Sequence, residues 1–556
     1  MMRLPYAYRR KVTFQALWPW LPFWLLIVFI AIFQHGPMPM YSTRTLSVSW
    51  EMWQRHSFLV PYLNGEPYSD KPPLLLWLIQ IGWWISGVGD VWPRVLEVAL
   101  GGTELVLLAI LAHRLFPAEG VIAKATSWML LAFTYGFLFG LQVMYEVLLA
   151  VCVLAALLAL VPTKHRESPR FVWFAMAVGC GLLTKGPVML LHVAFPWLLG
   201  PLWNDWARRQ RCKWYLLGSL AFFVALMLLL GWAFAAASTG GASYREQLLF
   251  HQTAGRVVHS FAHAEPFWWY LAALPVLIFP FALWPRLWVA ISALRPPFEP
   301  GLRFVLAWLG PVVLTFSFIS GKQLYYLLPE YAGFALLLSA AVCRFRQSHL
   351  RLANTRLLGP WPLAVVSLAL AAGLMLLPHL VSHGIVHNAL VQSLAPMGTV
   401  GGVIFALLAL ALLIPTRDET ARIAVVGLIG ALTANGLFSA TMWPAFDMRG
   451  ASALLAYVQS EDRPIANLQS YDGQFHFFGR LTKPIVSLHD HQALVEWATQ
   501  NPNGLIISYP SHLSDTQKKG ALYVQPFRGV WLTIWAAPKI VADHADQWSN
   551  SPPDEP

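Results

Sequence analysis

The chain has 556 residues, 57% of them hydrophobic and 12% charged, with a mean hydropathy of +0.54. Ordinary soluble domains carry about 25% charged residues, so this balance excludes a soluble globular protein and points to an integral membrane one. The formal net charge of +11 does not indicate nucleic acid, because the basic residues cluster in short loops between apolar segments, where they set orientation and attract anionic lipid.

The first apolar run, roughly residues 17–33, follows Arg9, Arg10 and Lys11 and lacks a small-residue cleavage site, so it reads as a retained span rather than a signal peptide. The loop 34–71 comes next and concentrates Arg44, Glu51, Arg55, His56, Glu66, Asp70 and Lys71. Charges this dense cannot sit in hydrocarbon and must lie at the surface or line a cavity. Its core, VPYLNGEPYSDKPPLLLW, reads as a Pro- and Gly-punctuated turn that delivers Asp70 and Lys71 to a helix starting at Pro72 and Pro73.

Apolar runs long enough to cross a bilayer, about 17–25 residues each, follow at roughly 95–115, 120–139, 141–161, 169–185, 187–203, 214–236, 267–289, 302–320, 324–343, 358–378, 398–415 and 421–443. The run 72–89 decides the topology. If it crosses, the later basic clusters (His113/Arg114, Lys164 to Arg170, Arg208 to Lys213, Arg295, Arg344 to Arg356, Arg417/Arg422) fall on the wrong side. As an interfacial helix or a partial entry it leaves about thirteen spans with every cluster inside. The amino terminus is then cytoplasmic and the carboxyl terminus external. The 27 Trp, 33 Phe and 17 Tyr suit a helical bundle with aromatic belts, and the alternating segments of a barrel are missing from the sequence. Cys152 and Cys180 fall in apolar runs and Cys212 and Cys343 beside basic clusters, so no disulfide framework is expected.

This topology collects the remaining polar residues on the outer face. Glu146 opens an apolar run with no charged neighbour in sequence, and Lys185 breaks a helix in LLTKGPVML. An ionisable residue in such a place is by default functional, although a solvated interfacial Glu or a snorkelling Lys is the plainer account. The long loop 237–266 brings His251, Arg256, His259, His263 and Glu265. His251 with an external carboxylate such as Asp70 makes a candidate divalent-metal pair, Zn, Mg or Mn. Lys322, Tyr325 and Tyr326 suit a phosphate, and equally an ordinary interfacial belt. Glu97 and Glu104, seven residues apart on one helix face, point into the bundle without an assigned role. From about residue 444 the pattern changes to short β-prone runs (LIISY, VWLTIWA) mixed with amphipathic helices, which predicts a small α/β domain outside the membrane. Two cations, two carboxylates and imidazoles on one side fit a phosphate-bearing lipid donor and an acid/base step.

The run VPYLNGEPYSDKPPLLLWL, then LLTKGPV, AHAEPFWWYL and SGKQLYYLLPEYAGFALLL, in this order, resembles the bacterial membrane glycosyltransferases of the aminoarabinose (ArnT-like) and protein-mannosyltransferase superfamily, with the GT-C fold. The resemblance covers nearly the whole chain. It implies an all-α membrane bundle over 1–443 and an external α/β domain over 444–556. It also implies transfer of a sugar from a polyprenyl phosphate, typically undecaprenyl phosphate, to a lipid, glycan or protein acceptor of the cell envelope such as lipid A, at the bacterial inner membrane. Residue by residue, Asp70, Lys71, Pro72 and Pro73 match the family's Glu-Lys-Pro-Pro, Glu146 its Asp, and Tyr325 the Tyr facing the lipid phosphate. Lys71, Lys185, Tyr325, Arg256 and Tyr68 are then the donor-phosphate set, Asp70 and His251 the metal ligands, and Glu146, Asp70 and Glu51 the candidate catalytic carboxylates. One departure stands out: the family's first-loop Asp-Glu falls on Tyr41 and Ser42. The alternative reading is therefore a non-catalytic polyprenyl-phosphate-binding or lipid-translocating protein.

Overall fold

The computed structural model describes residues 20–248, 264–349, 355–416 and 418–544. Most of these residues are helical. Among them, seven helices are long and apolar enough to cross a membrane, or eight if the bent pair Gly120–Ala132 and Thr134–Gly140 is one span. Length and composition thus qualify fewer spans than the thirteen or so expected from hydropathy. The difference lies in breaks that hydropathy averages over. The 120–139 run bends by 64° at Phe133, whose backbone is extended. The 267–289 run is divided into Trp269–Leu277, Phe281–Leu283 and Pro285–Ser292, because Pro280 and Pro285 have no N–H to continue a helix. Leu21–Phe33, Tyr145–Leu160, Phe171–Lys185 and Val188–Leu198 are apolar but shorter than 18 residues.

The run that decided the topology forms the helix Leu74–Ser86, of 13 residues. At 1.5 Å per residue this is about 20 Å, short of a hydrocarbon core about 30 Å thick. It turns Ile81, Trp84 and Ile85 outward, 56%, 80% and 78% exposed, while Leu75, Leu76, Ile79 and Trp83 are buried.

The loops at the two ends of the bundle differ in chemistry. At one end the basic residues are neutralised in pairs: Arg286 and Arg346 meet Glu419, Lys124 meets Asp418 at 3.0 Å, and Arg344 meets Glu299. The other end carries the Ser42–Gln54 helix and, on top of it, a mixed sheet near the carboxyl terminus. Two short strands, β1 (Tyr62–Leu63) and β2 (Glu66–Pro67), form a hairpin after that helix. The sheet contains β3 (Ile465–Leu468), β4 (Val486–Leu488), β5 (Leu505–Ser508), β6 (Tyr523–Phe527) and β7 (Val530–Ala536) in the order β4-β3-β5-β7-β6. β3 pairs in parallel with β4 and β5, while β7 runs antiparallel to β5 and β6. Leu505 and Ile507 face one apolar cluster and Ile506 the other, so both faces of β5 are covered, which explains its uninterrupted apolar run.

The sheet region grips the Ser42–Gln54 helix through specific contacts. Ser47 Oγ donates to the Gly473 carbonyl at 2.5 Å and accepts from the Phe477 amide at 3.1 Å. Trp50 Nε1 donates to the Leu481 carbonyl at 3.0 Å, and Phe477 stacks on Trp83 with centroids 5.6 Å apart. Arg44 and Asp472 form an ion pair of 2.7 Å.

Candidate functional site

The Asn64-Gly65 pair closes the hairpin as a two-residue turn with φ of +56° and +87°, the left-handed geometry that favours Asn-Gly. Glu51, 2% exposed, sits beneath this turn. Its carboxylate accepts the Asn64 amide at 2.5 Å and the Gly65 amide at 2.8 Å. Burial pushes the Glu51 carboxyl up from its ordinary range, against the pull of those two amides. Both oxygens are therefore occupied in holding the turn. Glu51, a candidate catalytic carboxylate by sequence, has a local structural task here: a buried turn with two inward N–H groups needs an acceptor.

After the turn the chain returns to the bundle, with Tyr68 packed against the main apolar core and Asp70 and Lys71 following it. Tyr145, the first residue of the Tyr145–Leu160 helix, lies within electrostatic range of Tyr68, Asp70 and Glu146. Pro72, next to Lys71, reaches to 4.0 Å from where a Cβ would stand on Gly186, the residue after Lys185. The two Pro-flanked lysine segments are thus neighbours.

Lys185 Nζ pairs with Glu146 Oε1 at 2.7 Å, their side chains 13% and 5% exposed. Glu146 stands in the first turn of its helix, where the dipole favours a negative charge. The Lys185 ammonium also lies 4.7 Å from the Tyr326 ring centroid and 5.9 Å from that of Tyr325. Tyr325 in turn meets Tyr41 edge-on at 6.4 Å, and Tyr41 meets Phe139 at 6.1 Å. Ser42 is engaged structurally: its hydroxyl donates to Gln142 and accepts the Val143 amide, both near 3 Å. Of the predicted site residues, Asp70, Lys71, Tyr68, Glu146, Lys185 and Tyr325 converge at one end of the bundle, with Glu51 behind the turn. His251 and Arg256 lie outside the described residues. Among the described residues no group of three or more His, Cys, Asp or Glu could hold a metal ion, and Asp70 is the one member of the expected metal pair that falls within them.

Two further features emerge only in the structure. His192 Nδ1 and Glu330 Oε1 lie 2.6 Å apart, 1% and 0% exposed, and tie the Val188–Leu198 helix to the Leu324–Glu330 segment. Those two elements begin next to Lys185 and Tyr325, so the pair fixes the spacing of cation and phenol. Glu97 is fully buried beside Glu146. Pattern reading placed it inside the bundle but not at this cluster. A lysine, two phenols and a carboxylate that are little exposed can hold an oxyanion and accept a proton within the same space.

Residues 70–232 match the family described as dolichyl-phosphate-mannose-protein mannosyltransferase. The chain is 29% identical over 312 residues to an undecaprenyl phosphate-alpha-4-amino-4-deoxy-L-arabinose arabinosyl transferase of Pectobacterium atrosepticum, covering 54% of each. It is 29% identical over 376 residues to the enzyme of that name from Pseudomonas paraeruginosa, covering 62% of this chain and 63% of the relative. The chain thus spans about half to two thirds of the length of the curated relatives it matches. A crystal structure of ArnT from Cupriavidus metallidurans bound to undecaprenyl phosphate superposes with a TM-score of 0.70 at 19% identity, over 93% of this chain and 97% of that one. That likeness speaks to the fold.

Proposed function

We propose that the chain is an ArnT-like membrane glycosyltransferase of the GT-C fold, taking a sugar from a polyprenyl-phosphate donor. The relatives' names specify an undecaprenyl-phosphate donor and arabinosyl transfer, and the donor class here is inferred from them. The acceptor is a cell-envelope lipid, glycan or protein on the outer side of the bacterial inner membrane. The amino terminus is cytoplasmic and the carboxyl-terminal domain, 444–556, periplasmic. This orientation is supported by the paired basic loops at one end and the site with its sheet region at the other.

The observation that carries the reading is the Lys185–Glu146 pair at 2.7 Å beside Tyr325 and Tyr326, with Pro72 against the following glycine. Lys71 and Tyr325 hold the donor phosphate, with Tyr68, Arg256 and Lys185 as further ligands. As the bond from the anomeric carbon to the phosphate oxygen breaks, the charge gathering on that oxygen is met by Lys71 and Lys185 in a recess where water screens little. Glu146 accepts the proton of an acceptor hydroxyl as its oxygen attacks from the opposite face, which inverts the anomeric centre. Asp70 orients the acceptor or, with His251, a divalent ion, and Glu51 supports the turn that carries Asp70 and Lys71.

With reconstituted protein and a labelled polyprenyl-phosphate sugar, Lys71→Ala should abolish transfer, and full turnover in that variant would refute the assignment. The second reading, a lipid-binding protein without catalysis, draws on the aromatic and hydroxyl side chains at Tyr41 and Ser42 and their structural contacts. Tyr41→Asp with Ser42→Glu separates the two: a weakened enzyme gains transfer, whereas a binder keeps affinity for the polyprenyl phosphate and forms no product in either form.

A further inference from the structure

Glu97, in the Val91–Leu115 helix, has 0% exposure, and neither of its carboxyl oxygens makes a hydrogen bond of normal geometry among the described residues. The Met144 backbone amide lies nearby, and the charge facing it is another carboxylate, Glu146. The nearest cation on its own helix, Arg94, is committed elsewhere, to Asp90 at 2.8 Å and to the carbonyls of Ile32 and His35. On the neighbouring helices Lys124 pairs with Asp418, and Lys185 pairs with Glu146; Tyr135 and Tyr145 add neutral phenols, and Glu104, two turns along, adds a second acid. A carboxylate ion with no cation would cost several kcal/mol in such a place, so the group stays neutral. One position further along each helix, Val98 and Val147 line a mostly apolar cavity that reaches down to Glu104.

Lys185 has two demands on it. In this structure it neutralises Glu146, and under the proposed function a lipid phosphate draws it away. Glu146 would then be left as a buried anion without its cation, an arrangement that costs several kcal/mol unless another partner takes over. We propose that Glu97 is a protonated carboxylic acid that replaces Lys185 as the partner of Glu146 in the donor-bound state. Its O–H donates to the Glu146 carboxylate, which stays ionised and oriented, and Glu97 keeps its own proton while Glu146 takes that of the acceptor. Glu97 is thus a positioning residue, and the inference rests on Lys185 as a phosphate ligand and Glu146 as the base.

Infrared difference spectroscopy of the reconstituted full chain, with undecaprenyl phosphate as the probe, tests it directly. The carbonyl band of a protonated carboxylic acid should vanish in Glu97→Gln, survive in Glu104→Gln, and move to lower frequency when undecaprenyl phosphate is added to the wild type. A spectrum unchanged by Glu97→Gln overturns the inference, as does lipid binding without a band shift. Failure of the wild type to bind undecaprenyl phosphate would instead sink the functional reading on which it rests. In transfer assays Glu97→Leu should lower kcat about tenfold or more, with KM for the donor little changed and thermal stability equal or higher, because an unsatisfied buried acid has been removed. Glu97→Gln, which can still donate, should keep most of the activity. Wild-type turnover in Glu97→Leu would reduce Glu97 to a space-filling residue.

Discussion

Lys185 and Glu146 constrain each other, and that sets what their variants do. Glu146→Gln removes the proposed base but frees the lysine, so kcat should fall roughly 100-fold or more while binding of undecaprenyl phosphate, measured by calorimetry, stays equal or tightens. Lys185→Ala does the reverse harm. It removes a phosphate ligand, so donor affinity should drop, while thermal stability falls less because Glu97 can partner Glu146 in its place. His476 makes a pH prediction of its own. Its Nδ1 shares a hydrogen bond of 2.7 Å with the Tyr471 hydroxyl, and burial pushes its imidazole down from 6.5 to about 4. Because the folded state resists protonation that the unfolded chain accepts, stability is lost as pH falls from 6.5 to about 4, by roughly 3 kcal/mol in all. Glu51, raised by its burial, acts in the opposite sense. The measurement is therefore the difference between wild type and His476→Phe in the acid limb of thermal unfolding, which should flatten in the variant.

The hairpin and the loop pressed on it form the element that sets the position of Asp70 and Lys71. Gly473 has φ of +78°, and a Cβ there would come within 2.5 Å of Leu63 Cδ1. Gly473→Ala should therefore cost about 1–2 kcal/mol from the backbone alone, with the clash added, and it should loosen the sheet region from the hairpin. Limited proteolysis of the 444–556 region should be faster in that variant, and kcat should fall more than stability does, because the turn held by Glu51 carries the lysine. Unchanged proteolysis and turnover would mean that the sheet region merely rests there.

For the whole molecule the two ends predict sidedness. The proposed orientation puts Cys212, beside Arg208, Arg209 and Arg211, in the cytoplasm and the sheet region outside. An alkaline phosphatase fused after residue 556 should be active in intact cells, and an impermeant thiol reagent should label Cys212 only after the membrane is opened. The opposite labelling pattern would invert the topology and place the lysine cluster on the wrong side for an external acceptor.

The sequence by itself determined that this is a membrane helical protein with a small α/β region at its carboxyl end. Apolar run length, clustered basic loops and β-branched strands are local signals that burial and membrane sorting act on directly. It also marked Lys71, Glu146 and Lys185, because an ionisable residue beside an apolar run stands out. Only the tertiary structure decided what those residues meet. Glu51 looked like any other loop acid until the hairpin folded over it, and Glu97 differed from Glu104 only once the start of the Tyr145–Leu160 helix came to rest beside it. The breaks at Phe133, Pro280 and Pro285 were likewise invisible in the sequence, since hydropathy records how apolar a stretch is and not whether its hydrogen-bond ladder runs unbroken. A side chain's role depends on which partners are within about 3 Å, and those partners come from segments dozens to hundreds of residues away, where no local pattern carries the information.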